Sequence, residues 1–298
     1  MRTRIRDGSK TFDVINCIFI SFICCIMLYP ILRVVAISLS EPKYIVAGQV
    51  GIIPRGFNIL GYKIILSNPE LWNAYKNTIL YTAVGTFLTL LVTSLTAFPL
   101  SINDFMFKKS ITIYLAITMF FSGGLIPTYI MIVKMGGLNS FWVMVLPMCL
   151  SAYNTFIFRS FFQNIPAEIR ESALIDGAND LRILFVIILP LSKALLATFA
   201  LFSAVSHWNS WFQALIYLQD MKKHPVQMIL RRIVVDERTD LIGGGGETEI
   251  GDLIATQLLT PRNLQMAAVV VVMLPILCVY PFVQRHFVKG VMIGSIKG

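Results

Sequence analysis

Long apolar runs, broken by few polar positions, set the pattern of this chain. A helix needs about 20 apolar residues to cross a hydrocarbon core of about 30 Å. Six stretches meet that need: Val14–Ile37, Trp72–Ala97, Ile111–Val133, Phe141–Phe158, Ala194–Phe212 (continuing toward Leu218) and Leu264–Val283. The pattern predicts an all-α, polytopic membrane protein, a single transmembrane domain over residues 1–298. Arg33 and Lys76 lie near span ends, where their stems follow apolar surface and their charges reach the interface. His207 is the other titratable group of note inside a span.

An even number of spans puts both termini on one side. The basic lead-in of Arg2, Arg4, Arg6 and Lys10 favours the cytoplasmic side for them. A charged lead-in before an apolar run also suits a signal peptide. Here the run is too long for an h-region and no A-x-A cleavage site follows, so the first segment is expected to be retained.

Composition sharpens this. Of 298 residues 56% are hydrophobic and 14% charged, where a soluble domain carries about a quarter charged residues; mean hydropathy is +0.73. Disorder, collagen and a small disulfide scaffold are excluded. The net charge of +9, from 25 Lys+Arg against 16 Asp+Glu, forms no basic stripe and so points to membrane lipid rather than nucleic acid. Cys17, Cys24, Cys25, Cys149 and Cys278 all sit in apolar stretches without a CxxC or a spaced Cys/His set. They read as small apolar side chains, with no metal site and no disulfide framework.

The most informative stretch is the polar break Ile165–Lys193, IPAEIRESALIDGANDLRILFVIILPLSK. Pro166 is suited to a helix start, and Ile169, Ala173 and Leu174 share one face of the helix that follows. Gly177 interrupts it, Asn179 or Asp180 caps a second helix, and Pro190 ends or kinks that one. The expected product is two short amphipathic helices set at an angle on the membrane surface, shaped to be gripped from outside the bilayer.

This break resembles the EAA signature of permease subunits of binding-protein-dependent ABC importers: Glu171, Ser172, Ala173, then Gly177, then Ile187, Leu189 and Pro190 at matching spacing. Ser172 replaces the second alanine, small for small. The ending YPFVQRHFVKGVMIGSIKG (Tyr280–Gly298) is similar to that of the smaller permease of maltose-type carbohydrate importers. The runs FFSGGLIPTY (Phe120–Tyr129) and SHWNSWFQALIYL (Ser206–Leu218) resemble the LplC/YtcP-like subgroup.

The resemblance implies a type I ABC importer permease fold and a carbohydrate importer. Its partners would be a sister permease in a heterodimer, a cytoplasmic ATPase dimer and an extracytoplasmic solute-binding protein, in a bacterial cytoplasmic membrane. It also implies that Glu171 meets an arginine or backbone donors of the ATPase, that Gly177 permits the turn, and that Ala173 and Leu174 fill the ATPase groove. The basic tail Gln284–Gly298 would reach into the ATPase interface. A permease for peptides or polyols is the alternative within the family.

The chain carries no GxxxxGK[ST] loop. Its glycine run Gly243–Gly246 is followed by Glu247, not lysine, so it reads as a flexible tip in the outer loop 214–261. No cofactor is expected in this chain; ATP and Mg belong to the partner ATPase, and the chain is not an enzyme. An intramembrane enzyme would need an HExxH, GxSxG or Asp/His cluster. An ion-coupled transporter would show acids inside spans, whereas Asp104 and Asp176 fall in polar connections.

For the solute path, the fourth span offers Ser151, Tyr153, Asn154 and Thr155, and the fifth Ser203, Ser206, His207, Trp208 and Asn209. Aromatic faces suit sugar rings, and amides and hydroxyls suit their OH groups. The same residues also suit an interfacial aromatic belt, Trp208 and Trp211 above all, or polar contacts between helices.

Overall fold

The computed structural model describes residues 7–235 and 258–294, with side chains at 10, 12–235 and 258–278. The basic residues Arg2, Arg4 and Arg6, the run Gly243–Gly246 and the side chains of the tail Gln284–Gly298 lie outside the described residues. Every regular element described is helical. Among the described residues three single helices are long and apolar enough to cross a membrane: Phe12–Ser38, Pro69–Ser101 and Pro261–Cys278. Up to six spans result if each of three sharply bent helix pairs counts as one.

The chain divides into two compact units, residues 1–69 with 230–274, and residues 70–229 with 275–298. The first holds α1 (Asp7–Ser38), α2 (Pro42–Val46) and α3 (Leu60–Ser67). From Phe12 to Arg33, α1 exposes side chains on all faces. A helix apolar all round takes lipid or neighbouring helices as its surroundings. Its C-terminal end is packed, with Ala36 and Ile37 buried against Val50 beside Tyr44, Ile45 and Met266.

A helix end leaves carbonyls short of partners, and a distant residue adds a donor here. Asn263 is fully buried, and its Nδ2 donates to the carbonyls of Ile37, Ser38 and Ser40 at 3.0, 3.2 and 3.2 Å. Gly61 lies against the same amide: a Cβ there would sit 2.7 Å from Asn263 Oδ1. Ser38 Oγ and Tyr62 Oη are 2.6 Å apart beside this clamp. Asn263→Ala is expected to lower stability by about 2 kcal/mol, because the buried Ser38 and Ser40 carbonyls lose this donor. Asn263→Asp, an acceptor of nearly the same shape, is expected to cost at least as much at pH 8. Thermal unfolding in detergent measures both; an unchanged midpoint for either contradicts the clamp.

In the second unit, α4 (Pro69–Ser101) buries Ala74, Thr78, Gly85, Thr89, Thr93, Ser94 and Ala97 at helical spacing. Small residues on such a stripe let membrane helices approach closely. Near the start of α4 a polar ladder holds the segment around residues 222–226. Asn73 and Asn77 donate to the Lys222 carbonyl (2.6 and 2.7 Å), Tyr81 Oη to that of Lys223 (2.9 Å), and Thr78 Oγ1 accepts from the Val226 N–H (2.8 Å). The first part of the expected outer loop is thus tied to this chain's own helix.

The third apolar stretch, expected as a span over Ile111–Val133, is broken in two. It is α5 (Lys108–Phe120) and α6 (Leu125–Lys134), bent by 117°. Ser122, Gly123 and Gly124 cause the break: Gly124 adopts φ 84°, a left-handed conformation open to glycine. The fourth stretch is two 3₁₀ turns (Phe141–Met144 and Leu146–Met148) followed, at a 52° bend, by α7 (Ala152–Gln163). Two cores result. One surrounds Tyr81, Met144, Val145 and Tyr217. The other surrounds Phe98, Phe158, Ile183, Leu184 and Phe199.

Candidate coupling site

The polar break folds as α8 (Ala167–Ile175), a turn, and α9 (Asp180–Arg182), which runs through a π-helical stretch (Ile183–Ile188) into α10 (Leu189–Leu191). Pro166 occupies the position just before α8 without a side-chain cap, and Glu168 lies in the first turn, where the helix dipole favours an anion. The turn has a specific chemistry. Gly177 takes φ 79°, the Ala178 N–H donates to the Ala173 carbonyl (2.9 Å), and the Gly177 N–H donates to that of Leu174 (3.0 Å). This is a Schellman cap, which closes a helix with a left-handed residue after its end. Asn179 Oδ1 then accepts from the Arg182 N–H (2.8 Å) and opens the second limb.

Arg170 Nη2 and Asp180 Oδ1, 3.0 Å apart, bridge the two limbs. An ion pair this exposed contributes little energy; the angle between the limbs is set by the cap at Gly177. The π stretch has a local cause as well. Pro190 lacks the N–H that the Val186 carbonyl would take, and its ring crowds the turn before it. After the buried Ser192, whose Oγ donates to the Ile188 carbonyl (2.7 Å), α11 (Lys193–Trp208) leaves at 85°.

The faces of α8 differ from the sequence expectation. Ala173, expected to line a partner's groove with Leu174, is 8% exposed and packs into this chain's own core with Phe98, Phe158, Ile183 and Phe199. The helical turn places Leu174 (41% exposed) and Ile175 (86%) on the outward side, and Glu171 and Ser172 are exposed too. Motif residues Ile187 and Leu189 are half-buried and Pro190 is exposed. The anchors that motif reading missed are Ile183, Leu184 and Ile188, buried to 4% or less. Beside α8 lies a cleft of about 240 Å³, lined by the end of α4 with Asn103 and Asp104, and by Arg170 and Glu171.

The solute-path candidates separate into different settings. His207 is 1% exposed, its imidazole laid directly on Gly85 of α4, so it is a packing residue and has no surface to offer a solute. Trp208, 8% exposed, lines an apolar cavity of about 240 Å³ with Ile79, Thr82 and Leu201. That lining lacks the polar partners a sugar needs. Ser206 and Asn209 are exposed, Ser203 is half-buried, and Asn209 Oδ1 accepts from Gln227 (3.0 Å). On α7, Ser151 caps the helix start, Thr155 is buried, Asn154 is half-buried and Tyr153 is exposed. Among the described residues no His, Cys, Asp and Glu group is arranged to hold a metal ion.

Among the described residues the chain is helical and largely apolar, with a two-limbed polar turn between two of its apolar segments, an arrangement to be expected of a transport permease. Residues 78–293 match the model of the family described as "Binding-protein-dependent transport system inner membrane component", and the chain belongs to that family. It is a transport component of an ABC importer and not an enzyme. Two relatives from Bacillus subtilis (strain 168) are similar over nearly their whole lengths. The polygalacturonan/rhamnogalacturonan transport system permease protein YtcP is 36% identical over 97% of this chain and 99% of its own. Protein LplC is 37% identical over 98% and 96%. Among solved structures, a chain of a bacterial ABC transporter involved in the import of the acidic polysaccharide alginate is 29% identical, covers 95% of this chain and 99% of its own, and superposes with a TM-score of 0.87.

Proposed function

We propose that this chain forms half of the translocation pathway of an ATP-driven importer for oligosaccharides in a bacterial cytoplasmic membrane, with both termini cytoplasmic. A sister permease supplies the other half, a solute-binding protein delivers the sugar from outside, and an ATPase dimer binds ATP and Mg on the cytoplasmic side. The observation that carries this reading is the two-sided character of α8. Its outward side presents Glu171, Leu174 and Ile175, while Ala173 is buried in the core that holds Leu195 and Phe199 of α11. A partner that grips the outward side therefore pulls on a membrane helix through a close-packed interior, which transmits displacement instead of absorbing it. The hydrogen-bonded cap at Gly177 keeps the limbs at their angle during that pull.

Oligosaccharide cargo is supported by the substrates named for the relatives, polygalacturonan/rhamnogalacturonan and alginate. The test is reconstitution of the chain with its sister permease, ATPases and binding protein in proteoliposomes. Uptake of labelled galacturonan-type and neutral oligosaccharides, peptides and polyols is then compared. ATP-dependent uptake of an oligosaccharide is the expected result. Uptake confined to peptides or polyols overturns the cargo but leaves the permease reading intact.

A further inference from the structure

We propose that the ends of α5 and α7 nearest the coupling turn hold the headgroup phosphate of an acidic phospholipid, with Arg159, Lys109 and Lys108 as its ligands. Arg159 lies one turn before the end of α7 and is half-buried. Its Nη1 donates to Thr112 Oγ1 (3.2 Å), and that hydroxyl donates to the Lys108 carbonyl (2.6 Å). A guanidinium carries five N–H donors and a permanent charge, and a single neutral hydroxyl answers only one of them. Among the described residues no carboxylate lies within 4.0 Å of Arg159.

Lys108 and Lys109 precede Thr112 by four and three residues, the spacing that puts side chains on one helix face. Three cations therefore bracket one hydroxyl. Lys108 is half-buried with its Nζ 3.2 Å from Asn103 Oδ1, and Lys109 is exposed. The acid in the connecting turn, Asp104, lines the cleft beside α8 instead. Beyond this cluster α5 exposes Ile113, Tyr114 and Ile117, an apolar face suited to acyl chains. The cluster thus marks the level where hydrocarbon gives way to water and where lipid phosphates lie. A half-buried, uncompensated guanidinium there calls for an anion from outside the chain, and its planar fork matches a phosphate.

The test uses the assembled importer in mild detergent, offered phosphatidylglycerol or phosphatidylcholine, with retained lipid read by native mass spectrometry. Wild type is expected to retain phosphatidylglycerol in preference. Lys109→Gln lowers that retention about fivefold, the effect of one basic residue near an anionic surface, and Arg159→Gln lowers it at least as much. Arg159→Lys falls between wild type and Arg159→Gln, and Lys63→Gln on α3 leaves retention unchanged. Equal retention of both lipids, unaffected Arg159 and Lys109 variants, or an equal loss in Lys63→Gln overturns the proposal. So does displacement of the lipid by excess inorganic phosphate, which marks a free-anion site. Loss of the sister permease in Arg159→Gln with lipid retention intact marks a subunit contact and overturns it as well. If Arg159→Gln does not fold, the exposed Lys109 carries the test alone.

Discussion

Glu171→Lys is expected to reduce solute uptake at least a hundredfold while leaving the chain folded. Glu171 is exposed on the outward side of α8 and lines the polar cleft beside it, so reversing its charge disturbs no core packing. Its consequence falls on the partner. In a closed docking pocket, removing one member of a buried ion pair costs about 3–5 kcal/mol, because the remaining charge is left without compensation. Lysine goes further and sets like charges against each other if the partner group is cationic. Two readouts divide the outcome: co-purification of the ATPase subunits, and uptake per ATP hydrolysed in proteoliposomes. Lost co-purification means α8 no longer docks. Retained ATPase subunits with hydrolysis but no uptake means it docks without transmitting. Glu171→Gln, which keeps shape and hydrogen-bonding capacity, is expected to lose less. Unchanged thermal unfolding in both variants separates the effect from misfolding, and near-wild-type uptake in Glu171→Lys would falsify the coupling role.

The parts of this site legible in the sequence are those whose cause is local. Gly177 reads as a helix break because only a left-handed residue closes the cap found there, and Asn179 reads as a cap because its side chain reaches an N–H three residues on. The π stretch is local in cause, yet Pro190 reads only as a stop, since the strain it creates is absorbed upstream at Ile183–Ile188. Ala173 was less accessible to sequence reasoning. Its neighbours Phe98 and Phe199 come from other helices, and the periodicity of α8 alone does not say which side they occupy. The bend between α5 and α6 escapes for another reason: one serine and two glycines, Ser122 to Gly124, barely lower the apolarity of the run while ending its helix. Asn263 gave no signal at all, because its acceptors at Ile37, Ser38 and Ser40 are more than two hundred positions away.

The Gly85–His207 contact is likewise tertiary, and it yields the largest stability effect expected in this chain. Gly85 is buried in α4, and a Cβ built on it would lie 2.5 Å from Nε2 and 2.7 Å from Nδ1 of His207. Real atoms do not approach so closely, so the ring or a helix must move. The ring has nowhere to go, since His207 is 1% exposed. Helix propensity favours alanine over glycine by about 1 kcal/mol, but overpacking a close-packed interior costs about 1–3 kcal/mol and more for a larger group. Gly85→Ala is therefore expected to destabilise modestly and Gly85→Val by about 3 kcal/mol, read as the thermal midpoint in detergent or nanodiscs. The decisive comparison is a double-mutant cycle. His207→Ala alone opens a cavity and destabilises, yet Gly85→Ala added to it should cost nothing and recover the propensity gain, because the overlapping ring is gone. A coupling of about 1–3 kcal/mol between the two positions follows; additive effects would mean that the ring does not restrain α4. Because His207 sits on α11, whose Leu195 and Phe199 are buried in one core with Ala173 of α8, the same overlap should also lower uptake in any Gly85 variant stable enough to reconstitute. α4 and α11 are then pushed apart, away from the geometry that connects the coupling turn to the membrane helices.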